Sequence, residues 1–147
     1  MSVDGSGFNL DYRDFFEHVV NDLNATRPGV PWKLTKGHRI WVSVLTVRGR
    51  ADKEWFGVGF PLDGLHVDFH IRLFDDRALN MARAQEIYRH LNSAERSRIR
   101  PNQMKGKAAR LKIRYGGRIK DTACPTDYRR WTVDAVLELY DAVIPYI

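Results

Sequence analysis

The chain predicts an α+β domain: an antiparallel meander sheet with an N-terminal helix, a middle helix and a largely buried C-terminal helix packed on it. Three observations carry this prediction. Apolar residues recur at helical spacing near both ends of the chain and once in its middle; apolar and polar residues alternate in the segments between; and turn-forming residues separate the alternating runs. With 147 residues, 44% of them hydrophobic and 29% charged, the chain suits one domain that buries roughly two-thirds of its unfolded surface. Residues 1–8, polar and glycine-rich, are expected to form a flexible N-terminus, and residues 9–147 the single domain.

In the first helix Tyr12, Phe15, Phe16, Val19, Val20 and Leu23 share one stripe, and Arg13, Asp14, Glu17, His18, Asn21 and Asp22 fall between them. Its start is placed near residues 9–11, where Asn9 or Asp11 can cap free backbone N–H groups, and its end before Pro28-Gly29. Residues 38–47 are rich in β-branched and aromatic side chains and predict a first strand. A turn over 48–52 leads to a second at 54–60, and Pro61-Leu62-Asp63-Gly64 leads to a third at 65–74. In that third strand Val67, Phe69, Ile71 and Leu73 alternate with His66, Asp68, His70 and Arg72, which predicts one buried face and one polar face that is solvated or lightly hydrogen-bonded.

Asn80 is expected to cap a second helix that carries Met81, Ala84, Ile87, Tyr88 and Leu91 on its apolar side. Asn92 and Glu95 stand at capping-box spacing, which predicts a kink or a short extra turn. Pro101 and Gly106 make 96–106 read as a loop, and 107–115 then alternates as a strand with Arg110, Lys112 and Arg114 on one face. Gly116-Gly117 signals a hairpin into a short strand at 118–122. Pro125 suits the first turn of a closing helix over about 126–143, apolar on most sides, which Pro145 ends.

Net charge is +6, and its distribution is more informative than its total. Between Arg96 and Lys120 stand ten basic residues and no acidic one; taking these from the 24 basic residues leaves 14 against 18 acidic, so the rest of the chain is net −4. Cys124 is the only cysteine, which excludes an intramolecular disulfide and a thiolate-rich zinc site and fits a reducing compartment. No run approaches the roughly 20 apolar residues of a membrane helix, and no apolar stretch near the start resembles a signal peptide. The expectation is a cytoplasmic protein with no membrane association.

Several tempting sites fail on spacing. His66 and His70 would share a face in a helix, but on a strand they stand roughly 13 Å apart, too far to bind one ion. Cys124 before Pro125 could feel a helix dipole, yet no histidine stands near it in sequence to act as base. Gly57-Val58-Gly59 lacks the third glycine and the following helix of a dinucleotide loop. The pairs Asp75-Asp76 and Asp52 with Glu54 fall at expected turns. No catalytic set, metal site or cofactor is therefore predicted, and a non-enzymatic role is favoured over an enzyme for a phosphorylated ligand.

The basic block supports a nucleic-acid interface. A basic loop followed by a basic strand, with Arg96, Arg98, Arg100, Lys105, Lys107, Arg110, Lys112, Arg114 and Arg118, offers cations for phosphates. Trp41 and Trp55 on neighbouring strands, with His66 and His70, are the candidates for stacking or ligand contact if they share the exposed face. Two other readings remain open. The block could neutralise Asp127, Asp134, Glu138 and Asp141 of the closing helix, with the tryptophans in the core, or it could dock an acidic protein partner.

Taken together, the aromatic first helix, Ile40-Trp41-Val42-Ser43, Val67-Asp68-Phe69-His70-Ile71, the helix after that strand and Asp127-Tyr128-Arg129-Arg130-Trp131 form a pattern across most of residues 10–147. It resembles an uncharacterised bacterial domain family found alone or attached to restriction-nuclease-like modules. The resemblance implies an accessory domain in DNA-related or defence-related contexts. The family has no established catalytic residues, so it assigns none to this chain, and no nuclease-like module stands within these residues.

Overall fold

A computed structural model of the chain describes residues 12–34, 36–38, 41–48, 53–59, 64–115 and 125–147. In order, its elements are α1 (Tyr12–Thr26), β1 (Lys36–His38), β2 (Trp41–Arg48), β3 (Glu54–Gly59), β4 (His66–Ile71), α2 (Arg77–His90), α3 (Ser93–Arg98), β5 (Arg100–Gln103), β6 (Ala109–Arg114) and α4 (Pro125–Val143), closed by a 3₁₀ turn at Ile144–Tyr146. The strands form one six-stranded sheet in the order β1-β2-β3-β4-β6-β5, with every neighbouring pair antiparallel. The architecture is thus the α+β meander expected, with helices at the N-terminus, in the middle and at the C-terminus.

Period-2 alternation sorts the sheet into two faces. Val42, Val44, Phe56, Val58, Val67, Phe69, Ile71, Ala109, Leu111 and Ile113 are buried in one cluster with Phe16, Val19 and Leu23 of α1, Ala84 and Ile87 of α2, and Ala135, Val136 and Leu139 of α4. Helices α1, α2 and α4 therefore share one side of the sheet. Phe56 meets Phe69 and Tyr140, with ring centroids 4.8 and 5.5 Å apart, so α4 lies over the centre of the meander. Arg27 joins the end of α1 to α4 through two hydrogen bonds to Asp141, at 2.8 and 3.0 Å.

Four local expectations are corrected. Residues 38–47 do not form one strand: β1 and β2 pair with each other through Lys36↔Ser43 and His38↔Trp41, so the chain has already reversed once before the meander. Asn80 does not cap α2. Asp76 does, accepting the Leu79 N–H, while Asn80 is buried inside the helix and holds the Phe74 backbone on both sides and the Lys107 carbonyl. The loop expected at 96–106 is confined to its last residues, 104–106, and the rest is structured. The Asn92/Glu95 capping box is complete and starts α3, and Pro101 stands in β5 because an edge strand needs no backbone donor on its outer side. Finally, the polar face of β4 is not uniformly solvated, since Asp68 is only 5% exposed. The expected hairpin at 116–117, the strand at 118–122 and Cys124 lie outside the described residues.

Candidate nucleic-acid interface

On the face turned away from the helices, strand pairing lines up three rows of side chains. In the first, Trp41 pairs with Gly59, Gly59 with His66 and His66 with Arg114. The second runs Ser43, Gly57, Asp68, Lys112 and Arg100. The third runs Thr46, Trp55, His70, Arg110 and Asn102. The sheet thus gathers residues that are up to 73 positions apart in sequence, Trp41 and Arg114, into one surface row.

Two glycines set the depth of this surface. A Cβ on Gly57 would stand 2.4 Å from Cζ3 of Trp55 and 3.0 Å from Oδ1 of Asp68, and one on Gly59 would stand 2.6 Å from Cε1 and Nε2 of His66. Side chains at neighbouring positions fold into the room that the glycines leave. Trp55, only 6% exposed, stacks between Trp41 at 5.5 Å and His70 at 4.2 Å, with interplanar angles of 17° and 14°. Its Nε1 is buried with no hydrogen-bond partner among the described residues.

Beside that stack lies a polar cluster. Arg110 donates from Nε to Asn102 at 3.1 Å, places Nη1 3.6 Å from Asp68 Oδ2 and approaches His66 Nε2 at 3.3 Å. A guanidinium can only donate, so His66 accepts at Nε2 and carries its proton on Nδ1. Burial, and then the charges of Arg110, Lys112 and Arg114, lower the His66 pKa to about 3. Burial likewise raises Asp68 to about 6, outweighing the opposing pull of Arg110 and Lys112. His66 is therefore neutral at physiological pH, and Asp68 is largely ionised there but takes up its proton on mild acidification, as pH falls through about 6.

The other cations of the basic block divide between the two sides of the sheet. Arg98 pairs with Glu138 of α4, Lys107 with Asp75, and Arg96 donates to the Arg89 carbonyl while lying 5.7 Å from the Tyr88 ring centroid. These three belong to the helical side, and among the described residues Glu138 neutralises part of the block, as the alternative reading has it. Asp141 instead pairs with Arg27. Arg100, Lys105 and Arg114 are exposed, and no ion pair joins them to a carboxylate among the described residues. Arg118 lies outside the described residues.

All four ring residues singled out from the sequence, Trp41, Trp55, His66 and His70, stand on the same face as Arg100, Arg110, Lys112 and Arg114. Sequence reasoning passed over Gly57, Gly59, Asp68 and Asn102. The signal for the glycines is their alternation with Trp55 on one strand face, at positions 55, 57 and 59. Among the described residues no group of three or more His, Cys, Asp or Glu could hold a metal ion, and no helix is long and apolar enough to cross a membrane. No protein-family model matches the chain, and comparison with curated proteins and with solved structures returns no match.

Proposed function

We propose that the open sheet face binds nucleic acid and that the protein acts as a non-enzymatic accessory domain rather than as a catalyst. The observation that carries this reading is the shared face: exposed cations on β5 and β6 share one sheet face with a stack of aromatic rings on β2, β3 and β4. Arginine beside aromatic rings suits phosphates and bases together. Arg110 takes no direct part, because Asp68 already engages it, and the contacts fall to the exposed Arg100, Lys105 and Arg114, with Lys112 beside them adding its charge. The family resemblance seen in the sequence points to the same class, and the single cysteine agrees with a cytoplasmic setting.

Fluorescence anisotropy with labelled DNA and RNA oligonucleotides tests the reading. With about four phosphate contacts, affinity should fall roughly 100-fold between 50 and 200 mM salt. The variant R100Q/K105Q/R114Q removes only exposed charge, so it should melt like the wild type yet lose about three of those contacts from the salt slope. Wild-type affinity and slope in the folded variant would remove the interface from this face. Retention of an acidic protein after nuclease treatment, with no oligonucleotide affinity, would favour the protein-partner reading instead.

A further inference from the structure

The open face is divided by chemistry along the order of its strands. On the β2–β3–β4 side it carries rings: the Trp41–Trp55–His70 stack, and His66 above Gly59. On the β6–β5 side it carries charge: Arg114, Lys112 and Arg100, with Arg110 between the two halves. A duplex keeps the faces of its bases stacked inside and offers mainly phosphates and groove edges, so it has little use for half of this surface. An unpaired strand exposes base faces and phosphates together.

We infer, resting on the nucleic-acid reading above, that the face takes single-stranded rather than duplex nucleic acid, with bases over the rings and glycines of β2–β4 and phosphates along Arg114, Lys112 and Arg100. His66 joins the two halves. It is partly exposed, it is the direct register partner of Arg114, and its imidazole occupies the space over Gly59 that any side chain there would fill. The hydrogen bond from Arg110 to Nε2 requires a neutral ring at that nitrogen. A neutral imidazole serves as a stacking surface and leaves the phosphate to its neighbour Arg114.

The test compares three labelled probes on the wild-type protein at low salt: a dodecamer of oligodeoxythymidine, an abasic strand with the same number of phosphates, and a duplex of the same length. The thymidine strand should bind at least about 10-fold more tightly than either of the others, since each stacked base contributes independently of charge. His66→Ala should weaken thymidine-strand binding about 5- to 100-fold, while His66→Phe, which keeps a ring, should stay within about 3-fold of the wild type. A duplex or abasic strand that binds as tightly as the thymidine strand would overturn the inference and leave the phosphate interface standing. So would unchanged thymidine-strand affinity in a folded His66→Ala protein. Failure of all three probes to bind would remove the nucleic-acid reading and this inference together. If His66→Ala does not fold, the three probes on wild-type protein still decide.

Discussion

Among the described residues each face of the sheet buries one carboxylate beside one arginine, and the two pairs are built differently. On the helical side Glu54, 0% exposed, is gripped by Arg83 of α2, with Nε on Oε2 and Nη2 on Oε1 at 3.1 Å. On the open side Asp68 faces Arg110 across 3.6 Å, and Arg110 divides its donors among Asp68, Asn102 and His66. The first geometry is the two-bond fork that fixes an ion pair and ties α2 to β3. The second holds a guanidinium loosely within a polar cluster, and burial there outweighs the attraction, as the raised Asp68 pKa records. One pair locks architecture, whereas the other leaves a surface whose charge is adjustable.

The largest expected effect exploits that contrast. Arg83→Met takes the two-bond counter-charge from the buried Glu54 carboxylate and should cost about 3–5 kcal/mol of stability, measured by urea denaturation. The double variant Glu54→Leu/Arg83→Met removes both charges and should recover most of that loss. Arg110→Met should cost clearly less at pH 6 than Arg83→Met, because Asp68 titrates at about 6 and can shed its charge by taking a proton. Equal losses for Arg83→Met and Arg110→Met would erase the distinction between the two pairs.

A smaller effect separates the two floor glycines. A Cβ at Gly57 would meet not only the Trp55 ring but also the Val42 carbonyl oxygen at 2.9 Å, and backbone in the middle of the sheet cannot retreat. At Gly59 the three nearest atoms all belong to the His66 ring, which can swing away. Gly57→Ala should therefore cost about 1–3 kcal/mol, and Gly59→Ala less. Gly59→Ala should nonetheless perturb the His66 ring signals in NMR spectra more than its stability loss would suggest. A Gly59→Ala protein as destabilised as Gly57→Ala would show that the His66 ring is held as firmly as backbone.

Much of the fold was legible because its elements announce themselves over short windows: the stripe from Tyr12 to Leu23, the alternation from His66 to Ile71 and the capping box at Asn92 and Glu95. What escaped was set by distant partners. Asn80 looks like a cap until the Phe74 backbone and the Lys107 carbonyl, 27 residues away, claim its side chain. β5 looks like a loop because Pro101 forbids a central strand, and only its place at the sheet edge makes the proline tolerable. The site was legible as a list and not as a surface. Arg110 and Arg114 belong to one strand face by alternation alone, but that Arg110 is already committed to Asp68 follows from a strand order that local patterns do not encode. Gly57 and Gly59 acquire meaning only from the register that sets them beside Asp68 and His66.

The smallest effect concerns pH and sets two neighbours on β4 against each other. Asp68 binds its proton more tightly in the folded protein, where burial raises its pKa to about 6, than in the unfolded chain, where a carboxyl titrates near 3.8. The stability linked to it is full below the unfolded value and is lost as pH rises through about 6. His66 behaves in the opposite sense. Burial and the charges of Arg110, Lys112 and Arg114 lower it to about 3, so the stability linked to the neutral ring is full above about 6.5 and is lost as pH falls toward 3. Between pH 7 and pH 5 each contribution is on the order of 1–2 kcal/mol and the two oppose, which leaves the wild type with little net slope from this face. Asp68→Asn removes the term that strengthens the fold on acidification, so relative to wild type it should lose about 1 kcal/mol between pH 7 and pH 5. His66→Phe removes the opposing term and should gain about 2 kcal/mol over the same interval. Urea midpoints at the two pH values measure both, and shifts of the same sign in the two variants would mean that the buried cluster does not hold its protons in this way.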